Sequence, residues 1–318
     1  MKNIVFLNSG RLDFDNKLDF SALSKIAALT KYTDSKEEEI LPRIENAEII
    51  ITKELPVRGH LIARFPDSVK LICEAGTGYN NIDIAAARER NIAVCNVPGY
   101  STEAVAQLAV NFILNLSSSM SIQQTMLKQK NFDNFTKCLQ VHHSEVLGKT
   151  LGVIGAGAIG QQVMKVAQAM GMKLLVYSRT PRPLQELAVQ YVPLDELLKQ
   201  SDFITIHCPL TADTKHLIHK DSLKQMKPSA FIINTSRGAI IHERDLIDAL
   251  QAGTIAGAAL DVQDPEPPEL NNPLFEMKNV ILTPHIGWKS FETRQRLICR
   301  LAESIESFLS GKPVSIVN

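Results

Sequence analysis

The sequence predicts an α/β protein built from two doubly wound parallel-sheet domains. Three observations carry that reading. Short apolar runs alternate with helical patterns along nearly the whole chain, as in strand–helix–strand crossovers. Three glycines in the spacing G-x-G-x-x-G (Gly155, Gly157, Gly160) fall at mid-chain instead of near the start, so a large independent region must fold ahead of them. The length of 318 residues also suits two domains that each bury a core.

Taken in order, Ile4–Leu7, Ala47–Ile51, Val69–Cys73 and Ile92–Val97 read as strands. Ser21–Leu29, Arg58–Phe65 and Ile82–Arg90 read as the helices between them. Ser101 to Asn115 forms a long apolar helix, with Ser101 or Thr102 as N-cap and Glu103 in its first turn. Lys128 to Leu147 has no clean period and reads as a loop. Leu151 to Ile154 is then a strand that breaks into the glycines, and Ile159, Val163, Val166, Ala167 and Met170 line one face of the helix that follows. Leu174–Tyr177, Phe203–His207, Phe231–Asn234, Ile255–Leu260 and Val280–Leu282 continue the strands. Leu194–Lys199, Asp221–Met226 and Glu243–Gln251 are helices, and a last long helix spans about Phe291 to Leu309. The expected division is residues 1–100 with 287–318 in one discontinuous domain and 101–286 in the other.

Charge excludes some function classes. Lys+Arg 34 balances Asp+Glu 34, so no global field favours nucleic acid or an anionic membrane. No apolar run is long enough to span a bilayer, and the first residues enter a strand pattern without a signal-peptide cleavage region. Five scattered cysteines read as reduced thiols without metal spacing, so the expected location is cytoplasmic and no metal site is expected.

The chemistry sits at strand ends. Gly155 permits a tight turn, Gly157 lets backbone approach a pyrophosphate, and Gly160 lets helix and strand pack closely. The cofactor-binding stretch is Gly155, Ala156, Gly157, Ala158, Ile159 and Gly160, where a helix N-terminus offers unpaired N–H groups. Three further strand ends carry Arg237, Glu266 and His285. In an open parallel sheet such ends converge on one crevice. An Arg suits bidentate carboxylate recognition, and a His with a Glu partner suits proton transfer near neutral pH. An acid about 20 residues past the glycines would mark NAD, accepting the ribose hydroxyls. Here Ser178, Arg179 and Thr180 occupy that loop, with Arg182 beyond, a set complementary to a 2′-phosphate. NADP(H) is therefore favoured, with NAD(H) as the alternative.

The motifs together resemble the D-isomer-specific 2-hydroxyacid dehydrogenases over essentially the whole chain. They include Ala75-Gly76-Thr77-Gly78-Tyr79-Asn80-Asn81-Ile82-Asp83, Asn96-Val97-Pro98-Gly99-Tyr100-Ser101, His207-Cys208-Pro209-Leu210-Thr211, Thr235-Ser236-Arg237-Gly238, Asp261 to Pro267 and Thr283-Pro284-His285. Within the family, Tyr79–Ile82, Gly287-Trp288 and the tail Leu309–Asn318 resemble the glycerate dehydrogenase/hydroxypyruvate reductase branch. The resemblance implies two Rossmann-like domains with an active-site cleft between them. It implies reduction of small 2-oxo acids (hydroxypyruvate, glyoxylate) to D-2-hydroxy acids (D-glycerate, glycolate), and the reverse. His285 would be the acid, Glu266 its orienting partner and Arg237 the carboxylate grip. Gly76 and Thr77 would hold the carboxylate from the other domain, and Lys53 would help to accept a polar substrate. Further cofactor contacts would come from Thr102, His207, Cys208, Pro209, Thr214, Thr235, Ser236, Asp261 and Gly287. A homodimer through the dinucleotide-binding domain is also expected. Relatives often place a Trp in the loop before the glycine-rich strand; here that loop holds Phe132 and Phe135. D-lactate-type or broad-specificity dehydrogenases are alternatives, and a dinucleotide-sensing corepressor-like protein is an alternative of another class.

Overall fold

The computed structural model describes residues 3–318, which form two compact units: residues 3–101 with 288–318, and residues 102–287. The first unit is a five-stranded parallel sheet in the order β2-β1-β3-β4-β5. Its strands are β1 (Asn3–Phe6), β2 (Ala28–Lys31), β3 (Ile49–Thr52), β4 (Leu71–Glu74) and β5 (Ala93–Cys95). Alternation within β1 shows why both faces are covered. Ile4 and Phe6 join the core beneath the final helix, Phe291–Leu309, whereas Val5 and Leu7 join Ile40, Ile44 and Ile50 on the opposite face.

Two elements here differ from the sequence expectation. The predicted helix Ser21–Leu29 stops at Ser24, and the chain turns into edge strand β2, which no apolar run announces because it is mostly exposed. The helix Glu37–Arg43 was not foreseen; three glutamates occupy its first turn, where the helix dipole favours them. Asp83 caps the helix Ile84–Glu89 through a 3.0 Å bond from the Ala86 N–H.

The second unit holds a seven-stranded parallel sheet in the order β12-β11-β10-β9-β6-β7-β8. Its strands are β6 (Thr150–Ile154), β7 (Lys173–Tyr177), β8 (Val189–Tyr191), β9 (Phe203–Ile206), β10 (Phe231–Asn234), β11 (Gly257–Leu260) and β12 (Val280–Leu282). Strand order reverses at β6, which lies between β9 and β7, and such a switch opens a crevice beyond the carboxyl ends of the strands. The long helix begins at Thr102 and runs to Ser118. Helices Met120–Lys128 and Asp133–Thr136 follow it, partly inside the stretch read as loop. Neither buries a side chain in this chain, so no apolar stripe marks them. Edge strand β8 was missed for the same reason as β2. Among the described residues no single helix is long and apolar enough to cross a membrane.

Candidate functional site

Strand β6 ends in Gly155, whose φ of +103° is a conformation that L side chains rarely adopt. A Cβ there would also stand 2.7 Å from the Cys208 nitrogen and the His207 carbonyl carbon. Close approach of two strand-end loops thus requires this glycine. A Cβ at Gly160 would collide with the Gly155 carbonyl oxygen, so the third glycine packs the helix onto the turn itself. Gly157 faces open space, and it caps the helix Ala158–Ala169 without a side-chain bond. The first-turn N–H groups around Ala158, Ile159 and Gly160 are therefore left for a ligand oxygen.

Hydrogen bonds tie successive strand-end loops together. Ser236 Oγ donates to the Ile206 carbonyl at 2.9 Å, the Asp261 N–H to the Asn234 carbonyl at 2.9 Å, and the His285 N–H to the Asp261 carbonyl at 2.9 Å. The ends of β9, β10, β11 and β12 thus form one shelf.

Asp261 is the main support of that shelf. Its Oδ1 accepts from Thr283 Oγ1 (2.6 Å) and the Ile286 N–H (2.7 Å), and its Oδ2 from the Gly287 N–H (2.9 Å). Burial raises its pKa, and these three donors oppose the rise. Asp261 and Gly287, which the resemblance had assigned to cofactor contact, thereby use these groups to shape the loop that presents His285. Thr214 is similarly occupied: its hydroxyl donates to the Pro209 carbonyl (2.6 Å) and accepts from the Thr211 N–H (2.8 Å).

His285 sits in the left-handed region at φ +51° and is partly buried. Its Nδ1 lies 2.9 Å from Glu266 Oε2, while Glu266 Oε1 accepts from the Gln263 N–H at 2.9 Å. The carboxylate therefore selects the tautomer with the proton on Nδ1 and leaves Nε2 for chemistry. A Cβ on Gly238 would run into the backbone of Gln263, so the Arg237 loop packs against the Glu266 loop. Arg237 Nη1 donates to the Ser236 carbonyl at 2.7 Å, and its other donors are uncommitted among the described residues.

The residues present fit a dinucleotide. His207 is buried, with Nε2 at 2.9 Å from Thr205 Oγ1 and Nδ1 without a partner among the described residues. Burial depresses its pKa to about 3, so the ring is neutral. Thr235 Oγ1 is a second buried polar atom without a partner among the described residues. Buried polar atoms are normally paired, and two orphans beside an open glycine turn are what an absent polar ligand would satisfy. Cys208 is no nucleophile, because burial pushes its thiol up to about 11. Past β7, Arg179 and Thr180 are exposed and Ser178 is half-buried; Arg179 makes no bond to another described residue. Tyr177 itself lines a cleft of about 560 Å³ with Leu194, Asp195, Leu198, Asp213 and His216. These wall residues were missed, because their spacing in sequence gives no sign that three separate loops meet.

In the first unit, the Gly76 and Thr77 carbonyls are used: Gly76 accepts from the Val97 N–H (2.9 Å) and Thr77 from Asn96 Nδ2 (2.6 Å). Their N–H groups have no acceptor among the described residues. Two adjacent N–H groups on this loop are thus available to an anion. Lys53, offered by the resemblance to a polar substrate, is buried, with a side chain 2% exposed.

Comparison with known proteins agrees with this geometry. The sequence pattern of the D-isomer specific 2-hydroxyacid dehydrogenase NAD binding domain matches residues 110–287. A hydroxypyruvate reductase of Blautia hydrogenotrophica is 38% identical over 98% of this chain and 97% of its own length. A glyoxylate reductase of Thermococcus litoralis is 40% identical, covering 88% of this chain and 86% of its own. Among solved structures, an acyclic imino acid reductase in complex with NADPH and D-Arg superposes with a TM-score of 0.89 at 30% identity, covering 99% of this chain and 100% of that one. The chain belongs to the D-isomer specific 2-hydroxyacid dehydrogenases, a family of oxidoreductases.

Proposed function

We propose that this enzyme reduces small 2-oxo acids, hydroxypyruvate and glyoxylate first among them, to D-glycerate and glycolate, and catalyses the reverse reactions. The observation that carries the reading is the 2.9 Å His285–Glu266 pair on the shelf that also holds Arg237. The names of the relatives at 38% and 40% identity support the substrate class. When bound, a nicotinamide supplies the hydride that reaches C2. His285 holds the proton for the C2 oxygen at Nε2, and Glu266 accepts the Nδ1–H and stabilises the charged ring. Arg237 offers its uncommitted N–H donors to the substrate carboxylate; within the first unit, the free N–H groups of Gly76 and Thr77 are donors suited to a carboxylate. NADPH is the favoured cofactor because cations and a hydroxyl, with no acid, follow β7; NADH is the alternative.

The test is NAD(P)H consumption with hydroxypyruvate, glyoxylate, pyruvate and a branched 2-oxo acid. Hydroxypyruvate and glyoxylate are expected to give the highest kcat/KM, and a preference for the branched acid would overturn the assignment. Arg237→Ala is expected to raise the KM for the oxo acid about tenfold or more, as loss of a charge-assisted bond of about 1.5–3 kcal/mol implies. An unchanged KM would remove Arg237 from the carboxylate role.

We further propose a cytoplasmic homodimer assembled through the second unit. Met120, Leu127, Phe132, Phe135, Leu139 and Leu147 all expose large apolar side chains within one short stretch, Phe135 at 77%. Light scattering is expected to give a dimer for the wild type and a monomer for the double variant Phe132→Asp/Phe135→Asp. A monomeric wild type at micromolar concentration would end this proposal.

A further inference from the structure

Beside the Gly76–Thr77 loop lies a buried cluster that the reaction described above does not use. Lys53 follows β3, and its backbone is clamped by buried Asn8, which accepts from the Lys53 N–H at 2.8 Å and donates to the Lys53 carbonyl at 2.6 Å. The ammonium sits 3.9 Å from the centre of the Trp288 ring and 2.6 Å from Glu54 Oε1. Glu74, the last residue of β4 and the register partner of Thr52, is fully buried. It accepts from Thr52 Oγ1 (2.9 Å) and Asn81 Nδ2 (2.8 Å) on one oxygen and from the Glu54 N–H (2.9 Å) on the other. Burial raises the pKa of Glu74, and the charge of Lys53 pulls it back down.

The position of this cluster is specific. A Cβ built on Gly76 would stand 3.5 Å from Lys53 Nζ and 3.3 Å from Glu74 Oε1. The ammonium therefore lies close to the Gly76 backbone, in the loop that offers two free N–H groups. A lysine almost never stays fully buried without a reason, because losing its hydration is costly. Here a hydrogen bond to a half-exposed carboxylate and the face of an indole offset that cost.

We propose that Lys53 is a positioning residue for the substrate carboxylate, its fixed ammonium lending positive potential to the Gly76–Thr77 amides while Glu54 and the Trp288 ring hold it in place. It acts through the loop and does not touch the substrate. The inference rests on the reading of Gly76 and Thr77 as carboxylate donors. In a low-dielectric surrounding a fixed charge a few ångströms from an anion's N–H donors strengthens binding much more than a solvated one would. Glu54, which is half-exposed, partly cancels that charge.

Two variants therefore move the same constant in opposite directions. Lys53→Met keeps the volume of the stem and removes the charge; the KM for glyoxylate and hydroxypyruvate is expected to rise about tenfold or more. Glu54→Gln removes the counter-charge; the same KM is expected to fall about threefold, with kcat and the KM for NADPH nearly unchanged in both. A purely structural role would lower the melting temperature without this opposed pair of shifts. Unchanged KM values in a folded Lys53→Met protein would overturn the inference. If that variant does not fold, an unchanged or raised KM in Glu54→Gln overturns it equally. A wild type that turns over no 2-oxo acid would instead overturn the underlying functional reading, and this inference with it.

Discussion

His285→Ala is expected to lower kcat by about 10²-fold or more, the ordinary contribution of a positioned general acid. The KM for NADPH should change little, because the glycine turn, His207 and Thr235 lie on other loops. The effect should be as large as this because little else could replace the lost proton donor. Cys208 is locked in its thiol form by burial, and His207 is held neutral and buried. Glu266→Gln separates two contributions: it retains an acceptor for Nδ1–H but removes the charge that balances imidazolium, so its kcat should fall by a smaller factor. Steady-state kinetics on purified protein, with circular dichroism to confirm folding, checks both. Turnover within a few-fold of wild type in folded His285→Ala would remove His285 as the acid.

Arg179→Ala should shift the ratio of kcat/KM for NADPH over NADH downward by roughly 10–150-fold, since only the phosphorylated cofactor loses a charge-assisted bond of about 1.5–3 kcal/mol. Arg179 is exposed and makes no bond elsewhere among the described residues, so its removal should leave the fold intact. Exposure also means screening: the NADPH preference of the wild type should shrink as ionic strength rises. Ser178→Asp should push the ratio further, adding an acceptor for ribose hydroxyls and repulsion against a 2′-phosphate. Measuring both cofactors at low and high salt decides the matter. A wild type that prefers NADH, with a ratio indifferent to Arg179, would show that this loop only carries solvated charge.

Most of the second unit was legible in the sequence because its central strands are buried on both faces. Phe203–Ile206 and Phe231–Asn234, buried throughout and mostly apolar, read as strands for that reason. Edge strands β2 and β8 were not legible, since a strand with solvent on one side and few neighbours carries no such run. The surface helices Glu37–Arg43 and Met120–Lys128 were also missed, the latter burying nothing at all in its own chain. At the site, glycine spacing, the lone strand-end Arg and the Glu–His pair announced themselves by type and position. What the sequence could not give is occupancy. Asp261, offered by the resemblance as a cofactor contact, also shapes the loop of His285 through both of its oxygens, which no sequence pattern announces. Lys53 reads as a strand-end lysine open to a polar substrate, yet its side chain is buried against Trp288, a residue distant in sequence. A signal was present in the paired polar ends of β3 and β4, Thr52-Lys53 beside Glu74, but it becomes readable only once the two strands are known to be neighbours.

Trp288 is the single tryptophan of the chain and belongs to the first unit. Its ring is buried against an ammonium, in a core shared with Leu297, Ile298 and Leu301. Intrinsic indole fluorescence is therefore a local gauge of that unit alone, silent on the dinucleotide-binding half, whose aromatic emission comes from Tyr177 and Tyr191. Loosening of the first unit would free the ring from its cation and expose it to water, shifting the emission to the red, while the far-ultraviolet signal averages over both halves. The chain thus carries its own built-in means of telling whether its two halves melt together or one after the other.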